Sequence, residues 1–339
     1  MSLPRPRVPP PRRILIIQKG KFGDVTLSTA LADDLHRAFP GAAVDFGVGA
    51  AAAPLLEHHP AITETVIVDA APAWRVAAAV RARRYDWVVD VQSSARTALI
   101  TLCSGAPVRI GWDVRFRRAA YTHRLTRDRP PEYTGHERRR LLTLAGVPVS
   151  DSLPRLALTA AEREAGARAL RDAGASDAHP RVGLLLTTGA ARRDWPLEHF
   201  AALVPLLRGA GLTPVVFDAP GSDALIAPLR ARVPDLAVVP RLPLRGFLGA
   251  LAACRVLVSG DTGPAHMADA LGVPRVTIFE LAPPEQWVPP GAPVVALASA
   301  RAVPDRAPAR RRELAPADAY PADVSPARVL EAVRTLVPA

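Results

Sequence analysis

Three short stretches carry residue types that could do chemistry. The first is Ser259-Gly-Asp-Thr-Gly-Pro-Ala-His266, a run of small residues after an apolar, β-branched segment at 256–258. Pro264 fits the first turn of a helix, where a missing N–H costs nothing. That helix is expected to run to Leu271 and to stop at Gly272, with Pro274 barring continuation. Free N–H groups and the positive end of the helix dipole would then converge on one crevice, which suits phosphate. Asp261 stands beside it, available for sugar hydroxyls. The same pattern also serves as a plain tight turn with His266 packed inside, and spacing alone leaves both open.

The second stretch is Gln18-Lys-Gly-Lys-Phe-Gly-Asp24, a charged, acid-ended loop after the apolar run at 13–17. Gly20 and Gly23 lack the G-x-G-x-x-G spacing of dinucleotide-binding turns, so the loop points to other chemistry. The third is Thr187-Thr-Gly-Ala-Ala-Arg-Arg-Asp-Trp-Pro196, again a polar loop behind an apolar run, at 182–186.

Elements to position these loops can be read from periodicity. Helices are expected at 25–39, 74–84, 95–102 and 136–145, and strands at 13–17, 43–48, 66–69, 85–92 and 108–112. Residues 115–131 read as a basic, irregular, mobile loop. A polar, proline-containing connection at 147–158 divides the chain into domains 13–155 and 156–339, after a Pro/Arg-rich extension at 1–12 expected to be disordered. Thr159-Ala-Ala-Glu162 is a capping-box start for a helix to 173. Strands at 182–186, 213–217, 256–258 and 276–279 then alternate with helices at 197–208, 222–232, 244–253 and 264–271. Residues 289–321 read as weakly structured, and Ser325-Pro326 opens an amphipathic helix ending near 337. The fold class is α/β: two Rossmann-like, doubly wound parallel sheets, expected to face one another across a cleft. Such a layout belongs to nucleotide-sugar glycosyltransferases, with ligands at the carboxyl ends of the strands.

Composition narrows the partners. The 339 residues carry 43 Lys+Arg against 32 Asp+Glu, a net charge of +11. Lys19 and Lys21 are the only lysines. With abundant Ala and 36 Pro, this looks like a GC-rich genome choosing Arg codons, so part of the basicity is bias. A nucleotide diphosphate, a phosphorylated glycolipid or a membrane surface fits the remainder. Nucleic acid does not, because the basic residues are scattered and aromatics make up only 5%. Cys103 and Cys254 show no metal-ligand spacing, which points to a reduced, cytoplasmic setting and to chemistry without a metal. No signal-type core or membrane-length apolar run is present, which leaves peripheral contact with a membrane open.

With these loops in place the sequence resembles the heptosyltransferase family, the inverting glycosyltransferases of family 9 with the two-domain GT-B fold. The resemblance runs over residues 12–290. Its pieces are Ile14-Leu-Ile-Ile with Gly23-Asp24-Val25, Asp90-Val-Gln92 with Arg96, Arg109-Ile-Gly111, Trp195-Pro196, Leu244-Arg245, and above all Ser259 to His266 followed by Gly272-Val-Pro274. It implies Asp24 as general base and Thr187, Thr188 and Arg193, with Thr262 and Gly263, as holders of the donor phosphates. Asp261 would take sugar hydroxyls and His266 would lie near the diphosphate. The acid expected at the ribose aligns on Ser222, with Asp223 one place on. Lys19, Lys21, Gln92 and Arg96 would meet an anionic acceptor. The implied donor is an ADP-sugar, with no cofactor. Gln18 stands where the family has Arg or Lys, and Phe279-Glu-Leu-Ala-Pro-Pro284 replaces its Phe-Gly-Pro-Thr, so sugar and acceptor stay open. The rival readings are another nucleotide sugar, an epimerase of the same architecture, and a silent nucleotide-binding protein.

Overall fold

A computed structural model describes residues 9–127, 132–279, 282–298 and 323–337. The chain divides into two compact units, Met1–Ala157 and Leu158–Ala339. Most of the expected extension at 1–12, and all of 299–321, lies outside the described residues.

In the first unit the elements run β1 (Arg13–Ile17), α1 (Phe22–Ala38), β2 (Ala43–Val48), β3 (Glu64–Ile67), α2 (Ala73–Ala82), β4 (Trp87–Asp90), α3 (Ala95–Cys103), β5 (Val108–Trp112), β6 (His123–Leu125) and α4 (Thr134–Arg139). All strand pairs are parallel, in the order β3-β2-β1-β4-β5-β6. β1 is covered on both faces, so its four residues Ile14 to Ile17 are apolar without alternation and fully buried.

The second unit runs α5 (Ala160–Asp172), β7 (Arg181–Leu184), α6 (Leu197–Gly209), β8 (Thr213–Phe217), α7 (Asp223–Arg232), β9 (Ala237–Val239), α8 (Leu244–Ala252), β10 (Val256–Gly260), α9 (Gly263–Leu271), β11 (Arg275–Phe279), α10 (Pro284–Trp287), β12 (Val294–Ala298) and α11 (Pro326–Leu336). Its order is β12-β11-β10-β7-β8-β9, also parallel. Counted from its own first strand, each sheet reads 3-2-1-4-5-6. The chain direction across the sheet therefore reverses between β1 and β4, and again between β7 and β10. Ligands of doubly wound sheets bind at such switch points, beyond the carboxyl ends of the strands.

Several expectations need correction. α1 starts at Phe22 rather than 25, because Val25 N–H already reaches Lys21 O at 3.0 Å. Asp24 thus belongs to a first helical turn, not to a loop. Residues 115–131 are not wholly irregular, since they contain the edge strand β6. The helix expected at 136–145 is α4 followed by a tighter helical turn, Arg140–Ala145, ended by Gly146 at φ 76°. The region from 289 carries β12, the other sheet's edge. No helix among the described residues is long and apolar enough to cross a membrane.

Candidate functional site

At the first switch point the backbone after β1 is held by two amides. The Gln92 side-chain oxygen accepts from Lys19 N–H at 2.9 Å and Gly20 N–H at 3.2 Å. Buried Gln18 donates to Gly20 O at 2.8 Å. Gln92 is aimed by what precedes it. Ser93 adopts φ 48°, a left-handed conformation uncommon for a residue with a Cβ. It is fixed there by Asp90, which takes Ser93 N–H and Tyr121 O–H, each at 2.8 Å. Complete burial pushes the Asp90 carboxyl up to about 6, against the lowering effect of those hydrogen bonds. Arg96 donates to the carbonyls of Val68, at 2.8 Å, and Ala71. Gln92 and Arg96, expected to meet the acceptor, therefore spend polar atoms on neighbouring backbone. Lys19 is half-buried and Lys21 exposed, and among the described residues neither has an ion-pair partner.

Asp24 presents 29% of its side chain in the first turn of α1. Arg138 of α4 donates to its carboxylate at 2.5 Å and to its carbonyl at 2.6 Å. The next residue, Arg139, makes a buried fork with Asp34 of α1 at 2.7 and 2.8 Å. Two consecutive arginines thus clip α4 to α1 at points ten residues apart. A buried ion pair returns little net stability, but losing one partner leaves an uncompensated charge, so this geometry is strongly specified. Arg138 went unread in the sequence, where Arg138-Arg139-Arg140 looks like a solvated charge run.

At the second switch point the loop after β7 is organised by Asp194, also unread. Its carboxylate takes Thr187 Oγ1–H at 2.9 Å, Thr188 N–H at 2.6 Å and Thr188 Oγ1–H at 2.8 Å. Both threonine hydroxyls expected at the phosphates are engaged inside the loop. Opposite lies the end of β10, where a Cβ at Gly260 would overlap Cγ2 of Thr188. Only glycine lets the two loops approach this closely. Arg193 stands with Nη1 3.9 Å from Asp261. Thr262 occupies the N-cap of α9 but makes no side-chain capping bond, and the helix start carries the positive end of the dipole. Gly272 closes the helix at φ 73°.

His266 is packed inside, 5% exposed, with Nδ1 4.0 Å from Asp269. Burial raises the Asp269 carboxyl while the Arg275 fork, at 2.6 and 2.9 Å, lowers it. Asp223 sits exposed at the start of α7, paired with Arg241 at 2.9 Å, which holds its carboxyl below the usual range. Asp218 follows β8 directly, where dinucleotide folds place the ribose-binding acid. It accepts from Arg241 at 3.1 Å and from buried Ser222 at 3.0 Å. A 320 Å³ cavity beside Asp194 is lined by Leu186, Ala191, Trp195, Pro196 and Leu225. Trp195 is anchored by Nε1–H to Val324 O at 2.8 Å.

Lipopolysaccharide heptosyltransferase 1 of Pseudomonas aeruginosa is 28% identical over 287 residues, covering 79% of this chain and 78% of that protein. The family 9 glycosyl transferase of Veillonella parvula superposes with a TM-score of 0.84 at 21% identity, over 96% of this chain and 97% of its own. The E. coli heptosyltransferase WaaC, solved with ADP-2-deoxy-2-fluoro heptose, superposes at 0.71 with 22% identity, over 96% and 100%. Residues 73–313 match the sequence profile of glycosyltransferase family 9 (heptosyltransferase). By that match, which spans well over half of its length, the chain belongs to glycosyltransferase family 9, the heptosyltransferases.

Proposed function

We propose that the chain moves a heptose, or a similar sugar, from an ADP-sugar to a hydroxyl of an anionic glycolipid of the lipopolysaccharide-core kind, with inversion. The first unit binds the acceptor and the second the donor. Asp24 takes the proton of the acceptor hydroxyl as that oxygen attacks the anomeric carbon. The bond from that carbon to the diphosphate oxygen breaks, and ADP leaves with the electron pair. Arg193 and the Thr262–Gly263 helix start neutralise the charge growing on the departing phosphate. Asp261 holds sugar hydroxyls, while Asp218 and Asp223 face the ribose. Lys19 and Lys21 meet acceptor anions, on a loop that Gln92 keeps in place, with Arg96 fixed on the neighbouring backbone after β3. These fixed donors make the transfer independent of metal and cofactor, so EDTA should leave turnover unchanged. The setting is cytoplasmic, with peripheral contact at the membrane.

One observation carries this reading. Equivalent points of two identically ordered sheets carry different groups, a first-turn carboxylate in one and a helix start without a side-chain cap in the other. Mass spectrometry of ADP-heptose turnover with lipopolysaccharide-core glycolipids tests it. Asp24→Asn should lower turnover by roughly 10²-fold or more and leave ADP affinity alone. Near-wild-type turnover in that variant excludes Asp24 as the base. A second reading, another nucleotide sugar, is favoured by Phe279-Glu-Leu-Ala-Pro-Pro284; a panel of ADP-, UDP- and GDP-sugars separates the two.

A further inference from the structure

In the first unit, α2 and α3 pack side by side over one face of the sheet. Val76, Ala77, Val80 and Ile100 cover Leu15, Ile17 and Val88. Among the described residues their outer side stays uncovered, and it carries large apolar side chains. Trp74 is 64% exposed, and Leu99 and Leu102, one helical turn apart on α3, are 42% and 45% exposed. Phe116, in the loop after β5, is 90% exposed. That loop's tight turn, Arg118–Ala120, is seated on α3 through Ala98, Ala120 and Tyr121. Trp74 opens α2 and Phe116 follows β5, so both stand at the carboxyl end of the sheet, the end that carries Lys19, Lys21 and Asp24.

The charge carried by the two helices has one sign. Neither α2 nor α3 contains an acidic residue. Residues 71–118 hold nine arginines (75, 81, 83, 84, 96, 109, 115, 117 and 118) against three aspartates (86, 90 and 113). All three aspartates are occupied. Asp90 is buried, Asp86 takes the backbone N–H of Arg12 at 2.7 Å, and Asp113 pairs with Arg118 at 2.5 Å. Two arginines lie on the exposed rings themselves, Arg75 5.0 Å from the Trp74 ring and Arg115 5.3 Å from that of Phe116. An aromatic ring carrying a guanidinium suits the boundary between acyl chains and headgroups. The ring enters the boundary while the cation reaches a phosphate.

We propose that this face, Trp74 with Leu99, Leu102 and Phe116 among their arginines, docks the protein on an anionic lipid bilayer. The proposal deepens the functional reading and rests on it in one respect, that the acceptor is a glycolipid. Charge decides the occupant. A second copy of the same face would bring Arg75 and Arg115 against like charge, whereas a bilayer offers phosphates to both. Each arginine near an anionic surface contributes roughly fivefold to partitioning. The exposed rings add affinity that salt does not screen.

Flotation of the full chain tests this. Vesicles of phosphatidylcholine and phosphatidylglycerol in equal parts should carry the protein upward, and pure phosphatidylcholine should not. Added salt should weaken the association. Trp74→Ala with Phe116→Ala, and separately Arg75→Glu with Arg115→Glu, should each reduce floated protein at least tenfold. All four side chains are exposed, so melting temperature should not move, and turnover of a soluble acceptor fragment should be unchanged. Failure of the wild type to float overturns the proposal, as do variants that float equally. A wild type that stays in solution but self-associates, with the variants monomeric, assigns the face to a second copy instead. Flotation without ADP-heptose turnover would leave docking standing and remove the functional reading, and turnover without flotation would do the reverse.

Discussion

Asp90 shows how one buried residue governs the loop at the end of a neighbouring strand. It fixes Ser93, Ser93 sets the direction of Gln92, and Gln92 holds the backbone of Lys19 and Gly20. The arrangement has a pH signature. Burial raises the carboxyl from an ordinary 3.8 to about 6, so the native state binds the proton more tightly than the unfolded chain. The resulting stability is complete below the unfolded value and is lost as pH rises through the folded one. Asp90→Asn removes the titration. The stability of the wild type relative to this variant should therefore fall by roughly 3 kcal/mol between about pH 4 and pH 7, and then level off. Urea unfolding across that range checks it, and a difference that grows with pH contradicts it. Asp24 was legible in the sequence, because an acid ending a first-strand loop is conspicuous there. Its partner Arg138 was not, since they are separated by 114 residues and meet only when α4 packs on α1.

Among the elements, the start of α9 and the loop after β7 form one device. Gly260 allows Thr188 to approach, Asp194 braces both threonines, and Arg193 reaches toward Asp261. Arg193 is the half-buried cationic member of the set. Arg193→Ala should weaken ADP binding by about 1.5–3 kcal/mol, the scale of a hydrogen bond to a charged group. Calorimetry reads this directly, and equal affinity in variant and wild type rejects the assignment. The glycines and Pro264 of this device could be read from the sequence because local backbone geometry demands those residues. Asp194 looked like one more loop charge. The edge strands β6 and β9 escaped as well, for three residues are too few to show alternation.

Across the molecule, two sheets of identical order carry unlike loops, and the proposed function divides acceptor and donor between them. Nucleotide should therefore leave a one-sided footprint. In hydrogen exchange with ADP, amides in 187–194 and 261–266 should gain protection while those in 18–22 stay unchanged. Protection centred on the first unit would reverse the assignment of donor and acceptor. The doubled α/β alternation was legible because buried parallel strands are continuous apolar runs such as Ile14 to Ile17. The exposed face of α2 and α3 was not. Trp74, Leu99 and Leu102 have the spacing of ordinary core positions, and only the finished packing shows which side they occupy.

The bond from Trp195 to Val324 joins residues 129 apart. A ribosome adding about 5–20 residues per second delivers the loop after β7 on the order of ten seconds before the segment that latches its tryptophan. Strands β7 to β11 and the open start of α9 therefore exist first as a nascent surface whose indole has no anchor. The loop after β7 is latched from the far end of its own unit, so this contact is among the last that the unit acquires as it is made.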